Sequence, residues 1–80
     1  MTKKLIELDE NESGIIHSFD EKSLSSVYIN DLLDYGFLPG SQIRLIYKSI
    51  SQNKILVTVG SSEIALRIKD ANFIDVVVTP

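Results

Sequence analysis

The apolar residues of this chain recur at two different spacings, which predict several β-strands and one helix. Apolar and polar residues alternate through "SQIRLIYKSI", which is the spacing of a half-buried strand. This alternation predicts that one face of the strand carries Ile43, Leu45 and Tyr47, and that the other face carries Arg44 and Lys48.

Two further strands are predicted downstream, separated by tight turns. "KILVTVG" and "EIALRIK" alternate in the same way, and each follows a turn-forming triplet, "SQN" and "GSS". The residues predicted to face inward are Ile55, Val57 and Val59 in the first strand and Ile64, Leu66 and Ile68 in the second. The residues predicted on the opposite face of the second strand are Ala65, Arg67 and Lys69.

Strands are also predicted towards both ends of the chain. "SGIIHSFD" predicts a short strand whose facing is ambiguous, because Ile15, Ile16 and Phe19 do not alternate cleanly. "DANF" predicts a short turn or a single 3₁₀ turn, and "IDVVVTP" predicts a closing strand of high β propensity.

The only good helix is predicted in "EKSLSSVYINDLLDYG", where the spacing of apolar residues changes. The residues of its apolar stripe are Tyr28, Ile29, Leu32 and Leu33. The candidates for its N-cap are Ser23, Ser25 and Ser26.

Glycine and proline then predict a sharp change of direction. Gly36 follows the last periodic residue and can adopt the left-handed conformation that ends many helices. Pro39 and Gly40 are suited to the two central positions of a type II turn, since proline presets φ and glycine permits a positive φ.

The predicted architecture is a mainly β domain with one inserted helix. Its five main strands have the helix after the first, and small sheets of this kind curl into a barrel to avoid exposed edges. The order of elements fits a small SH3-like barrel. With 80 residues, the chain has room for one such domain over residues 1–80.

Composition excludes several functional classes. The absence of cysteine removes disulfides, thiolate metal sites and cysteine nucleophiles. A net charge of −3 has the wrong sign for binding nucleic acid through its phosphates. No apolar run approaches the roughly 18 residues of a membrane span, and the apolar run near the start is too short for a signal peptide. We therefore expect a soluble, cytoplasmic protein without membrane insertion.

The sequence shows no arrangement of residues typical of an enzyme. No nucleophile elbow or phosphate-binding glycine loop is present. His17, Asp20 and Glu21 lie close in sequence, and one imidazole with two carboxylates would suit Fe²⁺. A lone histidine on a strand is more often solvated, so we predict no cofactor and no metal site, with weak binding of Fe²⁺ or another divalent ion left open.

Two motifs resemble the FeoA family of small bacterial ferrous-iron-transport proteins. "LLDYGFLPGSQIRL" is similar to the family's L-x-x-L-G-L-x-P-G-x-x-I pattern, and "EIALRIK" contains its A-L-R triplet. The matching positions are Leu32, Tyr35, Gly36, Phe37, Pro39, Gly40 and Ile43, then Ala65, Leu66 and Arg67. The resemblance extends from about Leu5 to Val78. Tyr35 and Phe37 replace leucine, and "KSISQNKI" lacks the usual proline and glycine.

The resemblance implies an SH3-like barrel that works in the cytoplasm with the large membrane ferrous-iron transporter FeoB. On this basis we predict a partner-binding surface of Asp31, Asp34, Tyr35, Phe37, Leu38, Pro39 and Arg67, with Gly36 and Gly40 as structural turn residues. Because at most one of Phe37 and Leu38 fits fully inside the tight connection, Leu38 is the better candidate for exposure.

Two alternatives remain open at this point. Tyr28, Tyr35, Phe37 and Tyr47 form an aromatic set that suits a proline-rich peptide, as in SH3 domains. The same fold also occurs as a domain of iron- and manganese-sensing repressors, which makes a direct metal sensor or carrier the second alternative. The sequence leaves open the oligomeric state and whether the transporter is activated or inhibited.

Overall fold

The computed structural model describes residues 1–78 and consists of one six-stranded antiparallel sheet with two helices. The strands are β1 (Thr2–Lys4), β2 (Ser13–Phe19), β3 (Gln42–Ser49), β4 (Lys54–Val59), β5 (Ser62–Leu66) and β6 (Ile74–Val78). The helices are α1 (Ser26–Asp34) and α2 (Ile68–Ala71), and a 3₁₀ turn covers Leu5–Glu7. The order of strands in the sheet is β1-β6-β2-β3-β4-β5.

The strand count is six rather than the five predicted. The additional strand is β1, which is short and polar. Its residues are extended because they pair with β6, where Thr2 lies opposite Val77. The predicted closing strand is present as β6, and its last two positions, Thr79 and Pro80, lie outside the described residues. Helix α1 follows β2 and precedes β3, as predicted.

The prediction that the strand "EIALRIK" continues through Ile68 and Lys69 is wrong. Strand β5 ends at Leu66, and Ile68 and Lys69 begin α2. The helix also takes up the start of "DANF", where only a turn was predicted. Asp70 lies in its first turn, a position where negative charge is favoured by the helix dipole.

An irregularity in β2 explains its ambiguous pattern. Ile16 lies opposite Val76, but the pairing then shifts, so that His17 is the extra residue of a β-bulge and Phe19 lies opposite Ile74. The bulge places Ile16 and Phe19 on the same inward face, although they are three residues apart.

A second bulge, in β3, makes part of the predicted facing wrong. Leu45 lies opposite Val57, whereas Tyr47 lies opposite Leu56, so Ile46 is the extra residue. From Tyr47 onwards the strand therefore reverses its faces, because one inserted residue inverts a period of two. Tyr47 is on the outer face, not with Ile43 and Leu45.

The same bulge brings Lys48 to the inner side of the sheet. Lys48 lies opposite the buried Ile55, and its Nζ donates to the carbonyl oxygens of Ile6 at 2.6 Å and Leu8 at 2.9 Å. The lysine thereby ties the 3₁₀ turn to the sheet, instead of pointing to solvent beside Arg44 as predicted.

A single core holds these elements together. Each strand from β2 to β6 and helix α1 contribute completely or almost completely buried apolar residues. The core comprises Leu5, Leu8, Ile16, Leu24, Ile29, Leu32, Phe37, Ile43, Leu45, Ile55, Val57, Val59, Leu66, Ala71, Ile74 and Val76. Of the helices in residues 1–78, none has the length and apolar character needed to cross a membrane.

Candidate partner-binding surface

Helix α1 is fixed at its start by a serine and along one side by the core. Ser25 is the N-cap, and its Oγ accepts a hydrogen bond of 3.1 Å from the backbone amide of Tyr28. Ile29 and Leu32 are buried. Because these residues fix the rotation of the helix, the two acidic residues Asp31 and Asp34 are exposed on its other side.

The end of α1 forms a Schellman motif. The amide of Phe37 donates to the carbonyl of Leu32 at 2.9 Å, and the amide of Gly36 donates to the carbonyl of Leu33 at 3.0 Å. Gly36 has a φ of +96°, which a residue with a Cβ rarely adopts.

This motif also decides the position of Phe37. The residue that follows the left-handed glycine characteristically packs back onto the helix, and Phe37 is 0% exposed within the core. The prediction that Phe37 contacts a partner is therefore wrong. Its side chain instead anchors the end of α1 inside the barrel.

The next four residues form the predicted turn. The amide of Ser41 donates to the carbonyl of Leu38 at 2.9 Å, and Gly40 has a φ of +95°, as a type II turn requires. The amide of Gly40 donates to Ile16 at 2.8 Å, which fixes the turn against β2. Leu38 and Pro39 thus lie on the outside, and Leu38 is 49% exposed.

Together, the end of the helix and the turn present a surface that is both apolar and acidic. We define the helix-turn surface as Asp31, Asp34, Tyr35, Leu38 and Pro39, all of which are exposed. Tyr35 is 59% exposed, and neither Asp31 nor Asp34 forms an ion pair within residues 1–78. Such a surface suits a partner that offers apolar contacts and positive charge.

A hollow of about 480 Å³ adjoins this surface between Tyr35 and β5. The β5 residues that line it are Ser62, Glu63, Ile64 and Ala65. Glu63 is exposed and was not among the predicted contact residues. The alternation of "EIALRIK" contained the signal, since it places Glu63 on the outward face with Ala65.

Arg67 lies away from the helix-turn surface. Its Nε donates to Oδ2 of Asp70 at 3.0 Å, and it lines a separate hollow that includes Tyr28. Tyr28 and Tyr35 are seven residues apart, about 10 Å along the axis of α1. The structure therefore does not bring Arg67 together with the other predicted contact residues.

The environment of Tyr28 changes the pKa of its phenol. Burial of the phenol, together with the neighbouring negative charge of Asp70, raises the pKa of Tyr28 to about 12. The nearby Arg67 opposes this shift. Tyr28 and Asp70 thus form a small polar group where α1 meets α2.

The aromatic residues do not line one groove. Phe37 is buried, and Tyr28 and Tyr35 line different hollows. Tyr47 is on the outer face of β3, with Nζ of Lys54 5.8 Å from the centre of its ring. The geometry therefore does not favour an SH3-type groove for proline-rich peptides.

The residues considered for metal binding are also not arranged as ligands. His17 is exposed on the β2 bulge, and Asp20 accepts hydrogen bonds from the amide of Lys22 and the hydroxyl of Ser23, both at 3.0 Å. These bonds, that of Ser23 first, lower the pKa of Asp20. No group of three or more His, Cys, Asp or Glu residues able to hold a metal ion occurs in the described part of the chain.

Comparison with solved structures identifies similar proteins. FeoA from Stenotrophomonas maltophilia, solved in complex with zinc and described as a prokaryotic SH3 domain protein, is 31% identical, with a TM-score of 0.75 over 99% of this chain and 89% of that one. FeoA from Chlorobium tepidum is 19% identical, with a TM-score of 0.88 over 98% and 71%.

A manganese-dependent transcriptional repressor also shares the fold. It is 17% identical, with a TM-score of 0.85 over 98% of this chain but only 42% of the repressor, and at such identity the likeness shows the fold alone. None of the curated proteins that we compared matches the chain. The predicted SH3-like barrel is confirmed, and the model of the FeoA domain matches residues 3–78. The chain therefore belongs to the FeoA domain family.

Proposed function

We propose that this chain is a non-catalytic accessory protein of ferrous iron transport that acts as a single FeoA-like domain in the cytoplasm. Its membership of the FeoA family supports the role in iron transport. The finer part of the proposal is that the chain binds the cytoplasmic domain of the membrane transporter FeoB and modulates transport by protein contacts.

The helix-turn surface is the observation that carries this proposal. Tyr35 and Leu38 are both exposed and flank Gly36 and Phe37, so one rigid connection presents two large apolar side chains of the kind found at protein interfaces. The nearby carboxylates of Asp31 and Asp34, which form no ion pair within residues 1–78, would attract a basic partner surface and orient its approach. The turn geometry holds these groups in place without the partner, which reduces the entropic cost of binding.

The experiment is an anaerobic two-dimensional NMR titration of labelled protein, first with Fe²⁺ and then with the isolated cytoplasmic domain of FeoB. We expect shifts at Asp31, Asp34 and residues 35–41 with the domain and none with the metal. Signal loss confined to the surroundings of His17 on addition of Fe²⁺ would instead support direct metal binding. Absence of any association at micromolar concentrations would contradict the proposal.

Matched variants separate this surface from general hydrophobicity. Leu38→Ser and Tyr35→Ala are expected to weaken binding by about tenfold or more, as for central apolar interface residues. Ile50→Ser is the control, because Ile50 is an apolar residue in the turn between β3 and β4 that is even more exposed than Leu38, at 74% against 49%. Equal effects of Leu38→Ser and Ile50→Ser would exclude the helix-turn surface as the contact.

A further inference from the structure

Strand β5 has an unpaired edge. It pairs with β4 on one side, and within residues 1–78 no other backbone hydrogen bond reaches Ser62–Leu66. Such an edge is a template onto which another extended chain can add.

The other edge of the sheet differs from β5 in length and charge. Strand β1 has three residues, and two of them are lysines whose ammonium groups pair with Glu12 and Asp75. Short edge strands and lysines are the usual means of preventing strand addition. Strand β5 is longer and carries no lysine, so it lacks this protection.

The hollow beside Tyr35 adjoins β5. Four consecutive residues of the strand, from 62 to 65, line it, and successive side chains of a strand point to opposite faces. A hollow that contacts all four lies beside the backbone of β5 and offers room for an extended chain there. Tyr35, from the end of α1, also lines it.

We propose that β5 binds an extended segment of a partner protein, rich in lysine or arginine, as a seventh strand, with Tyr35 packed against the added chain. The choice of a basic segment rests on charge. Glu63 lines the hollow, while Asp31 and Asp34 are exposed on the neighbouring helix and form no ion pair in the described residues.

The same charges argue against a second copy of this chain as the occupant. Each copy has a net charge of −3, and pairing β5 with β5 would bring the carboxylates of both copies to the same side. The inference goes beyond the proposed function and rests on it only for the biological identity of the partner, since the binding mode can be tested without the transporter.

The test is an NMR titration with an eight-residue peptide of alternating lysine and valine, blocked at both ends. We expect amide shifts at Tyr35 and in Ser62–Leu66, and slower hydrogen exchange within β5. A peptide of alternating glutamate and valine is the charge control and should cause no such change. Absence of shifts in β5 with the lysine peptide, or equal binding of the glutamate peptide, would overturn the proposal.

Methylation of the peptide nitrogens distinguishes strand addition from simple charge attraction. Only alternate residues of an added strand direct their amides towards β5. Methylating all valine nitrogens or all lysine nitrogens should therefore abolish binding in one case and weaken it much less in the other. Equal binding of both methylated peptides would show that no strand is added.

A charge-reversal pair completes the experiment. Glu63→Lys is expected to weaken binding of the lysine peptide by about threefold to tenfold. The control, Glu10→Lys, makes the same change at an exposed site between the 3₁₀ turn and β2. Concentration-dependent shifts in β5 without peptide would show that a second copy is the occupant and would overturn the proposed partner.

The outcomes for the transporter domain and the peptide are independent. Peptide binding at β5 without binding of the FeoB domain supports this inference and contradicts the proposed function. Binding of the FeoB domain without any change in β5, together with no shifts in β5 on addition of the lysine peptide, supports the proposed function and contradicts this inference.

Discussion

Arg67 and Asp70 form an ion pair in which one partner is exposed and the other is not. The Nε···Oδ2 distance is 3.0 Å, and the exposed fraction is 61% for the arginine side chain but only 6% for the aspartate side chain. Arg67 is the N-cap residue of α2 and Asp70 lies in the first turn, so the ion pair connects the start of the helix to that turn. Arg67 thus forms an ion pair within its own chain, which gives the arginine of the A-L-R triplet a structural role.

Replacing this arginine tests that task. We expect Arg67→Ala to lower the free energy of unfolding by about 1–3 kcal/mol, because it leaves a buried carboxylate without its charged partner. The loss lies at the lower end of this range if water reaches the Asp70 carboxylate once the arginine side chain is removed. Urea denaturation measures the change, and Lys69→Ala, at an exposed position in the same helix, should alter stability by less than about 0.5 kcal/mol.

The predicted role of Arg67 in partner binding is tested by the affinity of the same variant for the FeoB domain. If the arginine also binds a partner, Arg67→Ala weakens association of the folded protein with the FeoB domain in addition to lowering its stability. A stability loss with unaltered binding by the folded protein would assign Arg67 to the fold alone.

Gly14 is a second position where the sequence has little freedom. A Cβ at Gly14 would overlap Cγ1 of Val76 and lie 2.8 Å from the carbonyl oxygen of Val77. The backbone atom cannot move without disturbing β6. We therefore expect Gly14→Ala to lower the free energy of unfolding by about 1–3 kcal/mol, the usual cost of overpacking a core.

A double mutant and a control separate the two contacts. Gly14→Ala combined with Val76→Ala relieves the side-chain overlap but leaves the contact with Val77, so it should remain less stable than Val76→Ala alone.

Gly60 provides the control, because a Cβ there would meet nothing within 4 Å, although the φ is +59°. Gly60→Ala should therefore cost only about 1–2 kcal/mol, from backbone strain. If Gly14→Ala is no more destabilising than an exposed substitution, the close packing of β2 on β6 is incorrect.

Local sequence signals predicted the elements whose geometry depends on a few neighbouring residues. The end of α1 and the turn after it follow from Gly36, Pro39 and Gly40, because φ preferences act on single residues. The two bulges could not be predicted in this way. Whether His17 or Ile46 is an extra residue depends on the register of a partner strand far away in sequence.

The residues of the candidate surface show the same contrast between features set by neighbouring residues and features set by distant parts of the chain. The exposure of Leu38 was expected from its place beside the turn. The burial of Phe37, which was predicted among the contact residues although large apolar residues are usually in the core, follows from the Schellman motif. Arg67 was predicted at the surface, and it is exposed, but its bond to Asp70 depends on α2, where a strand had been predicted.

The position of Lys48 on the inner side of the sheet, which depends on the bulge in β3, can be tested. Its ammonium group satisfies the carbonyl oxygens of Ile6 and Leu8. We expect Lys48→Met to keep the apolar stem but to lower the free energy of unfolding by about 1–3 kcal/mol, since two partly buried acceptors lose their donor. Hydrogen exchange at residues 5–8 should accelerate more than exchange in β4.

The control for this substitution is Lys22→Met, which makes the same change at an exposed site. Its effect should be within about 0.5 kcal/mol of zero. If Lys48→Met is equally harmless, Lys48 points to solvent, and the faces of β3 follow the simple alternation after all.

Tyr28 makes the stability of the fold depend on pH under alkaline conditions. Its folded-state pKa is raised to about 12 from 10.0, first by burial and then by the charge of Asp70. Between these two values the folded state retains a proton that the unfolded state has lost, so the free energy of unfolding must fall as the pH rises from about 10 to about 12. Below pH 10 this phenol contributes no pH dependence. Measurements of urea unfolding at intervals from pH 8 to 11.5 should therefore show that Tyr28→Phe, which cannot ionise, gains stability relative to the original protein above pH 10. A stability difference that stays constant across this range would contradict the placement of the phenol beside the buried carboxylate.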